Sequence, residues 1–174
     1  HSGSMGVNIT DYVGIASLFG TILAKASDAD VMIFGDTAKY VPINPADSTL
    51  TSAQRVIGYN DGYRDKSSYY VGHGTNFHAI FETANKKYDR IFIFSDMQGW
   101  IGYAAPTTTF NRYKTKYSVN PFVYSIDLAG YGTLQLPENK IFCLAGFSEK
   151  IFDIIKVLEK DREALIKEIE KIEF

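Results

Sequence analysis

The sequence predicts a three-layer α/β fold in which a mostly parallel sheet is covered by helices on both faces and bordered by one antiparallel edge strand. Three observations predict it. Arg90-Ile91-Phe92-Ile93-Phe94 has no polar alternation, the pattern of a strand covered on both faces. Similar apolar runs at Val31–Phe34, Pro121–Asp127 and Lys140–Leu144 alternate with segments of helical periodicity. The stretch Gly72–Gly99 joins a glycine-rich, hydroxyl-bearing loop to a helix and then to the apolar strand, which Asp96 follows. Open α/β sheets bind ligands at that carboxyl rim.

In chain order, His1–Gly6 is small and hydroxyl-bearing, and Asn8–Asp11 carries capping residues that start a helix running to about Ser27. Its apolar stripe is Tyr12, Ile15, Ala16, Phe19, Ile22, Leu23 and Ala26, with Gly14 and Gly20 suited to close packing on a sheet. Gly35–Ala38 reads as a tight turn from the Val31–Phe34 strand into Lys39–Ile43, whose Pro42 and alternation suit an antiparallel edge strand. Asp47 or Ser48 caps a short helix over Thr51–Gly58, and Tyr59–Tyr70 is a polar loop.

Thr75-Asn76 caps a helix through Phe77, Ile80, Phe81 and Ala84. After the 90–94 strand come a loop with Trp100 and a helix over Thr107–Tyr117, whose Arg112, Lys114 and Lys116 form the most basic patch of the chain. A loop with Gly130 and Gly132 separates the last two strands. Ser148 caps a final helix whose stripe, from Ile151 to Ile172, is long for an element closing one sheet.

A chain of 174 residues suffices for one domain with a single core. Lys and Arg number 18 against 20 Asp and Glu, so no overall positive field draws the chain to nucleic acid or anionic membrane. Cys143 stands alone in an apolar run, which excludes a disulfide framework and favours a reducing, cytoplasmic setting. No apolar run approaches the ~20 residues that span a bilayer, and no signal-peptide order opens the chain; a soluble protein without membrane contact is expected.

Ser2, Ser4, Thr75 and Asp96 are hard oxygen donors on loops that this topology gathers at the carboxyl rim. Mg2+ takes such ligands, keeps several waters and often binds through one or two carboxylates. Neutral hydroxyls with few carboxylates leave the ion under-neutralised, ready for a partner carboxylate or a phosphate.

Ser2-Gly3-Ser4, Thr75 in Gly72-His73-Gly74-Thr75, and Asp96 in Phe94-Ser95-Asp96 resemble the metal-ion-dependent adhesion site of von Willebrand factor A domains. The order GHGTNFHAIF, IFIFSDMQGW and LAGFSEKIFDIIKVLE is similar to the A domain of Ro-type TROVE proteins. The resemblance spans residues 1–174 and implies a Rossmann-like, three-layer A fold of strand order 3-2-1-4-5-6. It further implies Mg2+ or another divalent cation on Ser2, Ser4, Thr75 and Asp96, with Asp96 often acting through water. Its expected partners are small noncoding RNA, bound through a helical-repeat domain of the same protein, and an acidic protein or phosphate ligand at the metal.

One departure stands out. The motif's first aspartate and the central first strand would precede His1, so the domain is expected to be N-terminally incomplete or to receive that strand from elsewhere. Without that aspartate, an empty metal site is also expected.

Plainer roles exist for each residue. Ser2 and Ser4 suit a linker, Thr75 a helix cap, and Asp96 a turn. His73 suits a turn, His1 and His78 have no evident partner, and Asp11, Asp36 and Asp127 read as cap, turn and strand-end residues. No Ser, His and acid set argues for hydrolysis, so a non-enzymatic module is expected. Arg64, Lys66, Trp100 and Arg112 are candidate contacts for RNA or another partner, with Trp100, Tyr103 and the Tyr59–Tyr70 loop offering rings for base stacking; covering the sheet edge serves these rings equally well.

Overall fold

The computed structural model describes residues 12–27, 29–59, 69, 71–72, 74–95, 105–130, 133–138 and 140–145. These form an α/β protein of two compact units, one comprising His1–Asp89 with Gly99–Pro121 and the other Arg90–Gln98 with Phe122–Phe174.

The first unit begins with α1 (Tyr12–Ser27), followed by the antiparallel pair β1 (Val31–Phe34) and β2 (Ala38–Val41). Gly35–Thr37 makes the tight turn, and Pro42 closes β2 because it cannot donate to a ladder. α2 (Thr49–Tyr59) starts two residues before its predicted position. The Ser48 hydroxyl caps it, accepting from the Thr51 amide at 3.1 Å, while Asp47 pairs with Arg55 at 2.7 Å.

α1 packs against α2 through small residues: Ser17, Thr21 and Ala24 are buried, as are Ser52, Ala53 and Val56. Thr21 satisfies its buried hydroxyl by donating to the Ser17 carbonyl at 2.7 Å. This differs from the sequence expectation. The predicted stripe of Ile15, Phe19, Ile22 and Leu23 lies on the other side of the helix and is half-buried or, at Ile22, exposed. Gly20 does not serve close packing either, since a Cβ there would meet nothing within 4 Å. Short polar side chains allow close helix approach where long aliphatic ones do not, and here that closeness determines the buried face.

α3 (Phe77–Thr83) and α4 (Thr107–Tyr117) complete this unit. Their shared core is aromatic, with Phe81 4.9 Å from Phe110 and 6.1 Å from Tyr113 between ring centroids. Phe77 joins it to β1 through Phe34 at 5.3 Å. Phe110, 1 % exposed, is among the anchors; burying such a ring contributes about 1.5–3 kcal/mol. α4 ends at Ser118, whose left-handed conformation lets the Val119 amide reach the Lys114 carbonyl at 3.1 Å.

The second unit is a four-stranded sheet of order β3-β4-β6-β5, with β3 (Arg90–Ser95), β4 (Phe122–Asp127), β5 (Thr133–Glu138) and β6 (Ile141–Ala145). β3, β4 and β6 run parallel, and β5 is antiparallel to β6. Phe92, Tyr124 and Phe142 stack across neighbouring strands at 4.9 and 5.5 Å. β4 is buried through Val123–Ile126 and β6 throughout, so these two inner strands fit the uninterrupted apolar pattern.

Three expectations are corrected here. β3 is an edge strand of the described sheet and mostly half-buried, although its sequence reads as central. β5 replaces the predicted loop; its Pro137 and a register break between Gln135 and Glu138 disguised a strand and are features that suit a sheet edge. β1 and β2 also form a sheet of their own instead of extending the parallel one. No helix among the described residues is long and apolar enough to cross a membrane.

Candidate functional site

The loop before α3 presents the one proposed metal ligand that falls within the described residues. Thr75 is exposed, and it is not the helix cap. Asn76 takes that role, its side chain accepting from the His78 amide at 3.1 Å. The Thr75 hydroxyl is thereby left out of the capping arrangement.

The β1–β2 turn is clasped onto this loop. The Asp36 and Thr37 amides both donate to the Val71 carbonyl, at 2.7 and 3.1 Å, and the Asn76 amide donates to the Gly35 carbonyl at 2.8 Å. Asn76 Nδ2 adds a bond to the Asp36 carbonyl at 3.2 Å. A Cβ on Gly35 would come within 2.5 Å of the Gly72 carbonyl oxygen, so glycine is required for the loops to approach. Sequence reasoning assigned Asp36 to a turn. The fold also brings its carboxylate against Gly72 and Gly74, beside Thr75 in the chain. The paired signals, Gly35-Asp36 and Gly72-x-Gly74, are visible in the sequence, but their contact spans 36 to 38 residues and is tertiary.

In the second unit the parallel register aligns Ser95, Asp127 and Ala145 at one carboxyl rim. The Leu128 amide donates to the Ser95 carbonyl at 2.7 Å, and Asp127 Oδ1 accepts from the Ala129 amide at 3.0 Å, the strand-end role predicted for it. Gly130 lies against Ala145, where a Cβ would meet the Ala145 Cβ at 2.5 Å. Asp96 follows this rim directly in sequence but lies outside the described residues, as do Ser2, Ser4, Arg64, Lys66, Trp100, His1 and His73. Thr75 and Asp36 fit a hard cation in chemical kind, since both offer oxygen. Among the described residues no three His, Cys, Asp or Glu side chains cluster as a metal site.

Arg112 is exposed on α4, a helix without an acidic residue. Lys114 lies 4.7 Å from the Phe110 ring centroid and Lys116 5.2 Å from that of Tyr117. Both lysines occupy the last turn, where cations also offset the helix dipole.

His78 acquires a partner that the sequence did not disclose. Its Nδ1 is 3.0 Å from Thr109 Oγ1, and the same hydroxyl donates to the Pro106 carbonyl at 3.0 Å. Because Thr109 has one hydroxyl proton, His78 is the donor through Nδ1–H.

A further polar cluster ties the turn after α3 to β2 and the start of β1. Asp30 accepts from Tyr88 at 2.6 Å and pairs with Lys86 at 2.7 Å. These bonds, that to Lys86 foremost, hold its carboxyl below the usual range. Tyr88 is 2.9 Å from Tyr40, and burial together with the Asp30 and Tyr40 bonds pushes its phenol well above the ordinary range. Tyr113 receives the Tyr88 amide at 3.0 Å and donates to the Lys86 carbonyl at 2.9 Å; burial raises its phenol too.

Comparison with protein-family models, curated proteins and solved structures returned no match.

Proposed function

We propose that the chain is a non-enzymatic, metal-dependent binding module with the three-layer, Rossmann-like fold of von Willebrand factor A domains, belonging to a Ro/TROVE-type ribonucleoprotein. In this reading small noncoding RNA is bound mostly through a helical-repeat domain of the same cytoplasmic protein. The observation that carries the reading is Thr75, an exposed hydroxyl residue on a glycine loop whose capping duty belongs to Asn76. The parallel set β3, β4 and β6 with an antiparallel edge strand supports the fold assignment.

Thr75 would hold Mg2+ together with Ser2, Ser4 and Asp96, all hard oxygen donors. The ion would supply a Lewis-acidic position for an anionic oxygen of a phosphate or carboxylate. Titrating Mg2+ into the complete protein and into its Thr75→Ala and Asp96→Ala variants tests this. The unmodified protein is expected to gain thermal stability and the variants to gain less. Equal gains in all three would remove both residues from the site.

A second reading, a protein-binding A domain of another intracellular complex, is favoured by the formal charge of −2. Nucleic-acid affinity rests largely on neutralised phosphates, and a carboxylate partner needs only the metal. Mg2+-dependent binding of an acidic peptide, with no salt-sensitive RNA binding by the complete protein, would select it.

A further inference from the structure

Gly74 is a glycine that its own backbone does not require. Gly72 has a φ of +86°, where side chains are strained, whereas Gly74 lies outside that region. What a Cβ on Gly74 would strike is Asp36 Oδ1, and a Cβ on Gly72 would strike Asp36 Oδ2. The two carboxylate oxygens therefore fill the two positions left vacant by missing side chains. Four backbone and side-chain hydrogen bonds from the Gly35–Thr37 turn and Asn76 hold the loops at this separation.

We infer that Asp36 is the positioning residue of the Thr75 loop: its carboxylate, seated on Gly72 and Gly74, sets the backbone from which the Thr75 hydroxyl is presented. The functional meaning rests on the reading of Thr75 as a metal-binding position. Asp36 need not touch the ion. It fixes the loop one residue before the ligand and adds a negative charge to a site otherwise rich in neutral hydroxyls. Asparagine keeps the volume seated on the two glycines and removes the charge, so it separates the packing of Asp36 from its carboxylate charge.

The test uses the full-length protein and a double-mutant cycle of Asp36→Ala, Gly74→Ala and the pair, with Asp36→Asn as the near-isosteric variant. Gly58→Ala is the control, because a Cβ there meets nothing within 4 Å. The readouts are the amide resonances of Thr75 and Asn76 and the affinity for added Mn2+. Each single substitution is expected to shift both amides and to weaken Mn2+ by about tenfold or more, the usual effect of losing a group that orients a metal ligand. Gly74→Ala should add little once Asp36 is alanine, because the space it invades is then free.

Unmoved Thr75 and Asn76 amides in Asp36→Ala, or independent additive effects in the cycle, would overturn the inference. A fall in melting temperature with an unchanged Mn2+ response would also overturn it, leaving Asp36 a turn residue alone. If the unmodified protein binds no Mn2+, the metal reading of Thr75 fails, while the amide shifts and the cycle still decide the role of Asp36.

Discussion

The Tyr88 hydroxyl donates to the Asp30 carboxylate at 2.6 Å across 58 residues of sequence. That assignment orders the bonds behind it. With its proton committed to Asp30, Tyr88 accepts from the Tyr40 hydroxyl at 2.9 Å, and Tyr40 in turn accepts from the Asn85 amide at 3.2 Å. Replacing Tyr88 by Phe removes the central link while keeping the ring. Chemical denaturation should show a loss of about 1.5–3 kcal/mol, the range for a hydrogen bond to a charged group, and Tyr40→Phe should cost less.

Alkali should weaken the fold once pH reaches the ordinary thiol and phenol range, before these groups lose their protons in the folded state. Tyr88 and Tyr113 have raised folded-state pKa values, and burial pushes the Cys143 thiol up to about 12. Each group keeps its proton longer when folded, so its stabilising contribution is complete below the unfolded pKa and declines as pH rises through the folded one. For Cys143 that window runs from about 9, its ordinary value, to about 12. Urea midpoints measured from pH 8 to 11 should fall, and Cys143→Ala should flatten part of the decline.

The same thiol should resist modification. Cys143 is 7 % exposed on β6, and alkylation requires the thiolate. Iodoacetamide at pH 8 is expected to leave the native chain unlabelled and to label it fully in denaturant, as read by mass spectrometry.

Ser52 should tolerate loss of its hydroxyl. Its Oγ is buried between α1 and α2 without a hydrogen-bond partner among the described residues. Leaving such a group unsatisfied costs about 1–3 kcal/mol. Ser52→Ala is therefore expected to raise stability by up to about 1 kcal/mol in thermal unfolding, since part of the gain is offset by lost packing around the oxygen.

The contrast between α4 and β5 explains how much of the fold the sequence carried. α4 was predicted at its observed limits, Thr107–Tyr117, with Arg112, Lys114 and Lys116 on one side; the structure buries Phe110 and Tyr113 of the same helix. β5 was hidden because Pro137 reads as a breaker, and only pairing with β6 makes the segment a strand. Runs such as 90–94 and 141–144 disclose a strand but not its place in the sheet; among the described strands β3 and β6 share one pattern and occupy edge and interior. α1 shows a different limit, since periodicity identified a helix and the close contact with α2 chose its other face.

The candidate site was legible where chemistry is local. Thr75 was named from its glycine-hydroxyl loop, and the structure describes it as exposed and outside the helix cap. Asp36 and the Thr109 partner of His78 depend on contacts between elements distant in sequence, which no spacing rule reveals.

Strand pairing also sets a timetable. The Val31–Val41 hairpin closes through a turn of three residues, an event of about 1–10 μs for isolated hairpins. The β3–β4 register joins Arg90 to Phe122, so that ladder must first close a loop containing all of α4. β4 then gains its second neighbour only after β6 has been made. A chain made from its N-terminus thus completes the segments of the Val31–Val41 hairpin well before those of the parallel sheet, whose pairings are the ones of greatest sequence separation.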